Sequence, residues 1–218
     1  MTCSRLSRFH VTRLLSFVAL ILLCSSCSGF WVSESSIETV VISPSTALLR
    51  KGDSVDLSAT STTYGGSTAD VTSTATWSIT PSTSTIVSVT SAGVVTASGK
   101  GTVVVDAASG GVTGTANVLV ATSTLPSTIN VGYTASSTTV APSATFNVTA
   151  TGLVDGVSTT LTTYVTWSSS DTGAATVDTN GNVTVLSTAT AGATFTISAT
   201  ATTASSTIAG TSTTFTVS

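Results

Sequence analysis

Ala75-Thr76-Trp77-Ser78 is followed downstream by Val87-Ser88-Val89, by Ala92-Gly93-Val94-Val95-Thr96 and by Gly101-Thr102-Val103-Val104-Val105. The same phrase returns as Val165-Thr166-Trp167-Ser168, then Ala175-Thr176-Val177, Asn180-Gly181-Asn182-Val183-Thr184 and Gly192-Ala193-Thr194-Phe195-Thr196-Ile197. Trp167 stands 90 residues after Trp77, Gly181 stands 88 after Gly93 and Gly192 stands 91 after Gly101, so one unit is present twice in tandem. A repeat of that length is a small domain, not a solenoid rung.

The strings around the two Trp residues read as β-strands. Phe195-Thr196-Ile197-Ser198-Ala199 and Phe215-Thr216-Val217 alternate apolar with hydroxyl residues, as a strand with one buried face requires. Thr itself suits the pleated surface because its Cβ is branched. Only 7% of the chain is charged and 41% is hydrophobic, with Ser, Thr and Gly dominating the rest. Without periodicity such a composition describes a disordered stalk; the alternation argues for a folded all-β chain.

In the first copy, strands are predicted at residues 38–42, ended by Ser43-Pro44, then at 54–60, 75–79, 86–89, 94–97, 101–108 and 114–120. Gly65-Gly66 makes a turn, and residues 86–89 and 94–97 form a hairpin across Ser91-Ala92-Gly93. The second copy repeats this at 145–150, 164–168, 175–178, 182–186, 194–200 and 211–217. Short strands with turns at this spacing predict two tandem immunoglobulin-like antiparallel β-sandwiches, at 38–121 and 129–218. Thr122-Ser123-Thr124-Leu125-Pro126-Ser127 lacks strong alternation, so 122–128 is expected to be a linker.

The N-terminus is a different kind of text. Arg5, Arg8, His10 and Arg13 form a basic head, residues 14–23 are a ten-residue run that is apolar except for Ser16, and Cys24-Ser25-Ser26-Cys27 follows. Ten apolar residues are too few to cross a bilayer core of about 30 Å as a helix but match the apolar region of an export signal. Small residues ahead of a Cys resemble the bacterial lipoprotein signal, which implies cleavage after residue 26, lipidation of Cys27 and a short tether over 27–37. Cys24 fits less well, because Leu22 and Leu23 occupy the positions that want small side chains. Ser28 follows Cys27, so the resemblance favours an outer-membrane or cell-surface destination; plain secretion or a periplasmic location is the alternative. Cys24 and Cys27 also spell C-x-x-C, but no further ligand follows to make a redox or zinc site.

Beyond the signal, Arg50, Lys51 and Lys100 stand against nine carboxylates, a formal charge of −6. Nucleic-acid binding, which needs clustered cations, is excluded. The one His lies in the signal and no Cys follows Cys27, so the sandwiches hold no Ser-His-Asp or Cys-His arrangement, no His or Cys metal ligand and no intradomain disulfide.

Val41-Ile42-Ser43-Pro44, Lys51-Gly52-Asp53-Ser54-Val55-Asp56-Leu57, Gly65-Gly66-Ser67-Thr68-Ala69-Asp70-Val71-Thr72, Ala75-Thr76-Trp77-Ser78, Gly93-Val94-Val95-Thr96-Ala97 and Gly101-Thr102 together resemble the bacterial immunoglobulin-like domain, group 2. The second copy keeps Trp167-Ser168-Ser169, Asn180-Gly181-Asn182-Val183-Thr184 and Gly192-Ala193-Thr194. Its counterpart of the Gly-Gly turn segment reads Asp155-Gly156-Val157-Ser158-Thr159-Thr160, making it a divergent copy. The family occurs in intimin- and invasin-like surface adhesins, in phage structural proteins and beside the catalytic domains of secreted glycosidases. It has no catalytic residues to carry over.

Individual residues are read in the same way. Trp77 and Trp167 are expected to plug the core between sheets, not to stack on sugars. Asp178-Thr179-Asn180-Gly181-Asn182 has the look of an oxygen-ligand calcium loop, but Asn-Gly between two strands is a hairpin signal and the turn is preferred. Asp70 and Asp171 are expected as turn carboxylates and not as an acid–base pair. Asn147-Val148-Thr149 and Asn182-Val183-Thr184 match the glycosylation sequon. The expectation is therefore a non-enzymatic exported envelope lipoprotein serving as an adhesion or structural spacer module, with a carbohydrate-binding accessory as the alternative. Its partners are the membrane, through the lipid on Cys27, and a protein or glycan ligand, with Tyr133 as the exposed aromatic to test. No catalytic residue, cofactor, metal or small-molecule substrate is expected.

Overall fold

The computed structural model describes residues 33–218, which form strands and turns without a helix. The signal segment, Cys27 and most of the expected tether lie outside the described residues. The first sandwich contains β1 (Ile37–Ser43), β2 (Thr46–Arg50), β3 (Ser54–Asp56), β4 (Ser58–Thr63), β5 (Thr68–Asp70), β6 (Thr76–Thr80), β7 (Val87–Val89), β8 (Val94–Ala97), β9 (Gly101–Ser109) and β10 (Val112–Ala121). One layer is β1-β4-β5 continued by β3-β8-β7, and the other is β2-β10-β9-β6. β3 and β4 are one strand interrupted at Leu57, whose N–H donates to the Gly93 carbonyl at 3.0 Å.

The second sandwich contains β11 (Asn130–Tyr133), β12 (Thr139–Val140), β13 (Thr145–Val154), β14 (Val157–Thr160), β15 (Thr166–Ser169), β16 (Ala175–Val177), β17 (Asn182–Val185), β18 (Thr194–Phe195), β19 (Ile197–Thr202), β20 (Thr207–Thr211) and β21 (Phe215–Val217). One layer is β11-β13-β17-β16, with β14 on β13; the other comprises β12-β21-β18 and β15-β19-β20. In each copy the first strand splits and changes layer, as in immunoglobulin-like sandwiches.

Two expectations need correction. The sandwiches are not wholly antiparallel: β2 runs parallel to β10, from Thr46 opposite Asn117 to Arg50 opposite Ala121, and β12 runs parallel to β21. Neither β2 nor β12 was expected from the sequence. Residues 211–217 are also not one strand. Thr213 and Thr214 are exposed in succession between buried Ser212 and Phe215, an extra residue that breaks the alternation as a bulge does. Ser212 fills the gap, its Oγ accepting from the Ile197 N–H at 2.9 Å.

The two cores differ in chemistry. The first is aliphatic, built on Leu49, Leu57, Val95, Val105 and Val118. The second is centred on Phe215, whose ring lies 5.4 Å from Phe195, 4.8 Å from Phe146 and 5.1 Å from Tyr133. It also takes in Leu48, Leu119 and Ala121 from the first sandwich. β2 and the end of β10 are therefore buried on both faces. Ala47 and Leu49 point into their own core while Leu48, 0% exposed, points into the neighbour's.

Candidate functional site between the two sandwiches

The junction is built from three sets of contacts. The apolar set is Leu48 paired with Leu119 on the outer face of the first sandwich, covered by the second. Beside it a parallel bridge joins Leu48 to Thr203, and the Asn117 side-chain amide donates to the Thr163 carbonyl at 3.1 Å.

The third set centres on Asp155. Its carboxylate accepts from the backbone N–H groups of Thr122 at 2.9 Å, Ser123 at 2.8 Å and Thr124 at 3.1 Å, and Lys100 Nζ lies 3.0 Å away. The Asp155 backbone sits at φ 51, a left-handed turn position that Asp tolerates. Three N–H donors followed by the Lys100 ammonium hold its carboxyl far below the usual carboxylate range. The segment expected as a linker is therefore tied down. Leu125 packs on the second core and Ile129 is buried.

A polar cleft of about 250 Å³ opens beside these contacts. Ser45, Thr46 and Asn117 of the first sandwich face Thr163, Thr166 and Asn180 of the second, and Trp167 and Val177 contribute an apolar edge. Thr46 is 6% exposed and its Oγ1 is buried without a hydrogen-bond partner.

The residues singled out from the sequence fall as follows. Both indoles are core plugs: Trp167 is 9% exposed, and the Nε1 groups of Trp77 and Trp167 donate to the Thr72 and Thr162 carbonyls at 2.8 and 3.0 Å. Trp77, half-buried, lies over Gly93. Gly93 and Gly181 have φ 79 and 81, and a Cβ on either would meet the carbonyl of Leu57 or Val148, which explains a glycine at both turns. Asp178 serves its own turn, accepting from the N–H groups of Asn180 and Asn182 at 2.8 and 2.9 Å and from Asn182 Nδ2 at 2.7 Å. The Asn182 bonds lead in holding its carboxyl below the usual range.

Asp70 caps the Thr72 N–H at 2.8 Å and is likewise lowered, first by Thr72. Asp171 caps Gly173 at 2.9 Å on the other sandwich, so the two carboxylates are not brought together. The sequon residues Asn147 and Asn182 bond each other at 3.0 Å across β13 and β17. Tyr133 is 38% exposed while its ring packs on Phe215 in a T-shaped contact. Among the described residues no group of three His, Cys, Asp or Glu is placed to hold a metal ion.

Sequence reasoning missed one repeated device. The hydroxyls of Thr72 and Thr162 accept the N–H groups of Ala59 and Ala150 at 2.8 and 3.1 Å, so each Thr secures β4 or β13 with its side chain and the Trp with its carbonyl. Its signal is a Thr five residues before each Trp.

No protein-family model matches the chain. Ice-binding protein 1 of Shewanella frigidimarina (strain NCIMB 400) is 34% identical over 146 residues, which cover 66% of this chain and 16% of that protein. Among solved structures, domains 5–6 of the S-layer protein SbsC cover 83% of this chain and 97% of that one, at 17% identity and a TM-score of 0.34. The titin domains Z1Z2 in complex with telethonin cover 83% and 95%, at 16% identity and a TM-score of 0.24. The names of these proteins describe structural, surface or binding roles, and the chain spans about one sixth of the relative matched by sequence.

Proposed function

We propose that this chain is a non-enzymatic, exported spacer of the cell envelope, built from two group 2 bacterial immunoglobulin-like domains and anchored through a lipid on Cys27. The observation that carries the reading is the docked junction. Leu48 and Leu119 buried in the neighbouring core, with Asp155 gripping residues 122–124, give the pair a preset geometry. A spacer needs that property, whereas a flexible tether avoids it. The sequence supports export and anchoring, and multiple acyl chains on one Cys would hold the protein firmly.

Protease shaving of intact cells, followed by mass spectrometry, tests the reading. The expected result is an acylated peptide beginning at Cys27, with peptides of both sandwiches released before lysis. An unmodified Cys27 peptide would overturn the anchor. Protection of both sandwiches until lysis would move the spacer inside the envelope.

The partial exposure of Tyr133 favours a second reading, an accessory that keeps a polysaccharide near a separate enzyme. Retardation in glycan affinity gels that Tyr133→Ala abolishes is its expected sign, and no retardation on any common glycan would remove it.

A further inference from the structure

The cleft between the sandwiches has the features of a ligand site, and neither the spacer role nor Tyr133 uses them. Its walls come from two bodies held in fixed register by the junction, so the cleft is already formed before anything enters. The buried hydroxyl of Thr46 has no partner, and an unmade hydrogen bond at a buried group costs roughly 1–3 kcal/mol. The Asn117 amide gives one N–H to Thr163, which leaves its second N–H as a donor and its oxygen as an acceptor. Thr163, Thr166 and Asn180 add groups that both donate and accept.

The charge pattern narrows the ligand. No Lys or Arg lines the cleft, which disfavours anions. Its one carboxylate, Asp178, already has both oxygens engaged by Asn180 and Asn182, which leaves little for an ammonium group. Neutral donors and acceptors on two walls, with Trp167 and Val177 at one edge, match a ring that carries vicinal hydroxyls on its rim and C–H groups on its face.

We propose that this cleft binds one neutral sugar ring, either a free monosaccharide or the end of a glycan, with Asn117 and Asn180 as its polar contacts and Thr46 turning its buried hydroxyl about χ1 to join them. The inference goes beyond the spacer reading and uses a site separate from Tyr133.

The test is NMR on the full exported chain in detergent micelles. Glucose, galactose, mannose and N-acetylglucosamine are titrated singly, then as linear oligosaccharides. Saturable shifts of the Asn117 and Asn180 side-chain amides with at least one sugar are expected. Thr46→Val and Asn180→Ala should each weaken binding roughly fivefold, the scale of one hydrogen bond, while Ser88→Ala, at an exposed position of β7 outside the cleft lining, leaves it unchanged. Thr46→Val keeps the side-chain shape and Asn180 lies in an exposed turn, so both variants are expected to fold. Binding of oligosaccharides as tight as that of the single ring identifies a glycan end, and binding of the monosaccharide alone identifies a free sugar. Absence of amide shifts with every sugar, unchanged affinity in both variants, or loss of binding only in Tyr133→Ala would each overturn the proposal, the last by moving the sugar to the other site.

Discussion

The two sandwiches are the same machine where each meets itself and different machines where they meet each other. Inside, both tie a Trp to a Thr carbonyl, secure β4 or its counterpart β13 through the same Thr hydroxyl, and turn between the two strands that follow the Trp strand on a glycine at φ near 80. At the outer face of the parallel strand pair they part company. The first sandwich presents Leu48 opposite Leu119, and the second presents Thr139 opposite Thr216. The turn after β4 and after its counterpart β13 diverges as well. The Gly65 N–H donates to Glu34 and the Asp155 N–H to Thr124 in the same way, at 2.9 and 3.0 Å, but only Asp155 adds a carboxylate that gathers the incoming chain. The junction is thus an addition of an apolar pair to one copy and an acid to the other, on an otherwise shared frame.

The largest break in this comparison lies in the cores. Phe215→Ala removes the ring that touches three other aromatics, with an expected loss of about 3–5 kcal/mol. Because the first core is separate and aliphatic, hydrogen exchange should quicken through β11 to β21 and change little in β7 to β9. Uniform loss of protection would mean that the two copies unfold as one. Leu48→Ala probes that coupling directly. It should cost about 2–5 kcal/mol although Leu48 belongs to the first sandwich, and the amides that lose protection should include those of the second. Protection lost in the first sandwich alone would contradict a shared core.

A smaller effect separates shared frame from added junction. Thr72→Val and Thr162→Val each leave a backbone N–H without its acceptor, and both should cost about 1–3 kcal/mol in urea denaturation. Similar losses in the two copies would support one inherited device; a loss confined to Thr72→Val would mean that the divergent copy has replaced it.

The shared frame is also the part that was legible in the sequence. Trp, the Asn-Gly or Ala-Gly turn and the alternating strands act within about ninety residues and leave a local pattern. β2 was illegible for a physical reason. A strand covered on both faces reads as an unbroken run, Ala47-Leu48-Leu49, and its second covering is a body that begins some eighty residues later. Asp155 was noticed only as a departure from a Gly-Gly turn, because its partners lie 31 to 33 residues upstream in a stretch without periodicity. The cleft is a product of both, so no local signal foretold it.

The finest test concerns the Asp155 grip, through its sensitivity to acid. A carboxyl held below its ordinary value in the folded chain adds stability that is complete above the unfolded value of about 3.9 and is lost as pH falls below it. Asp70 and Asp178 are lowered too, so the wild-type acid limb is a sum over three groups. Asp155→Asn removes one of them, and the variant should melt lower than wild type by a constant gap from pH 7 down to about pH 5, a gap that narrows only as pH falls through about 4 toward 3. The narrowing should be accompanied by faster hydrogen exchange at the Thr122, Ser123 and Thr124 amides, in the variant at neutral pH and in the wild type only in acid, while Leu48 and Leu119 keep the two sandwiches tumbling together. A gap that stays constant down to about pH 3 would show that the Asp155 charge contributes nothing to the grip. Separate tumbling of the wild type at pH 7 would show that Leu48 and Leu119 do not hold the pair, since the apolar contacts carry no charge and should survive the acid longest.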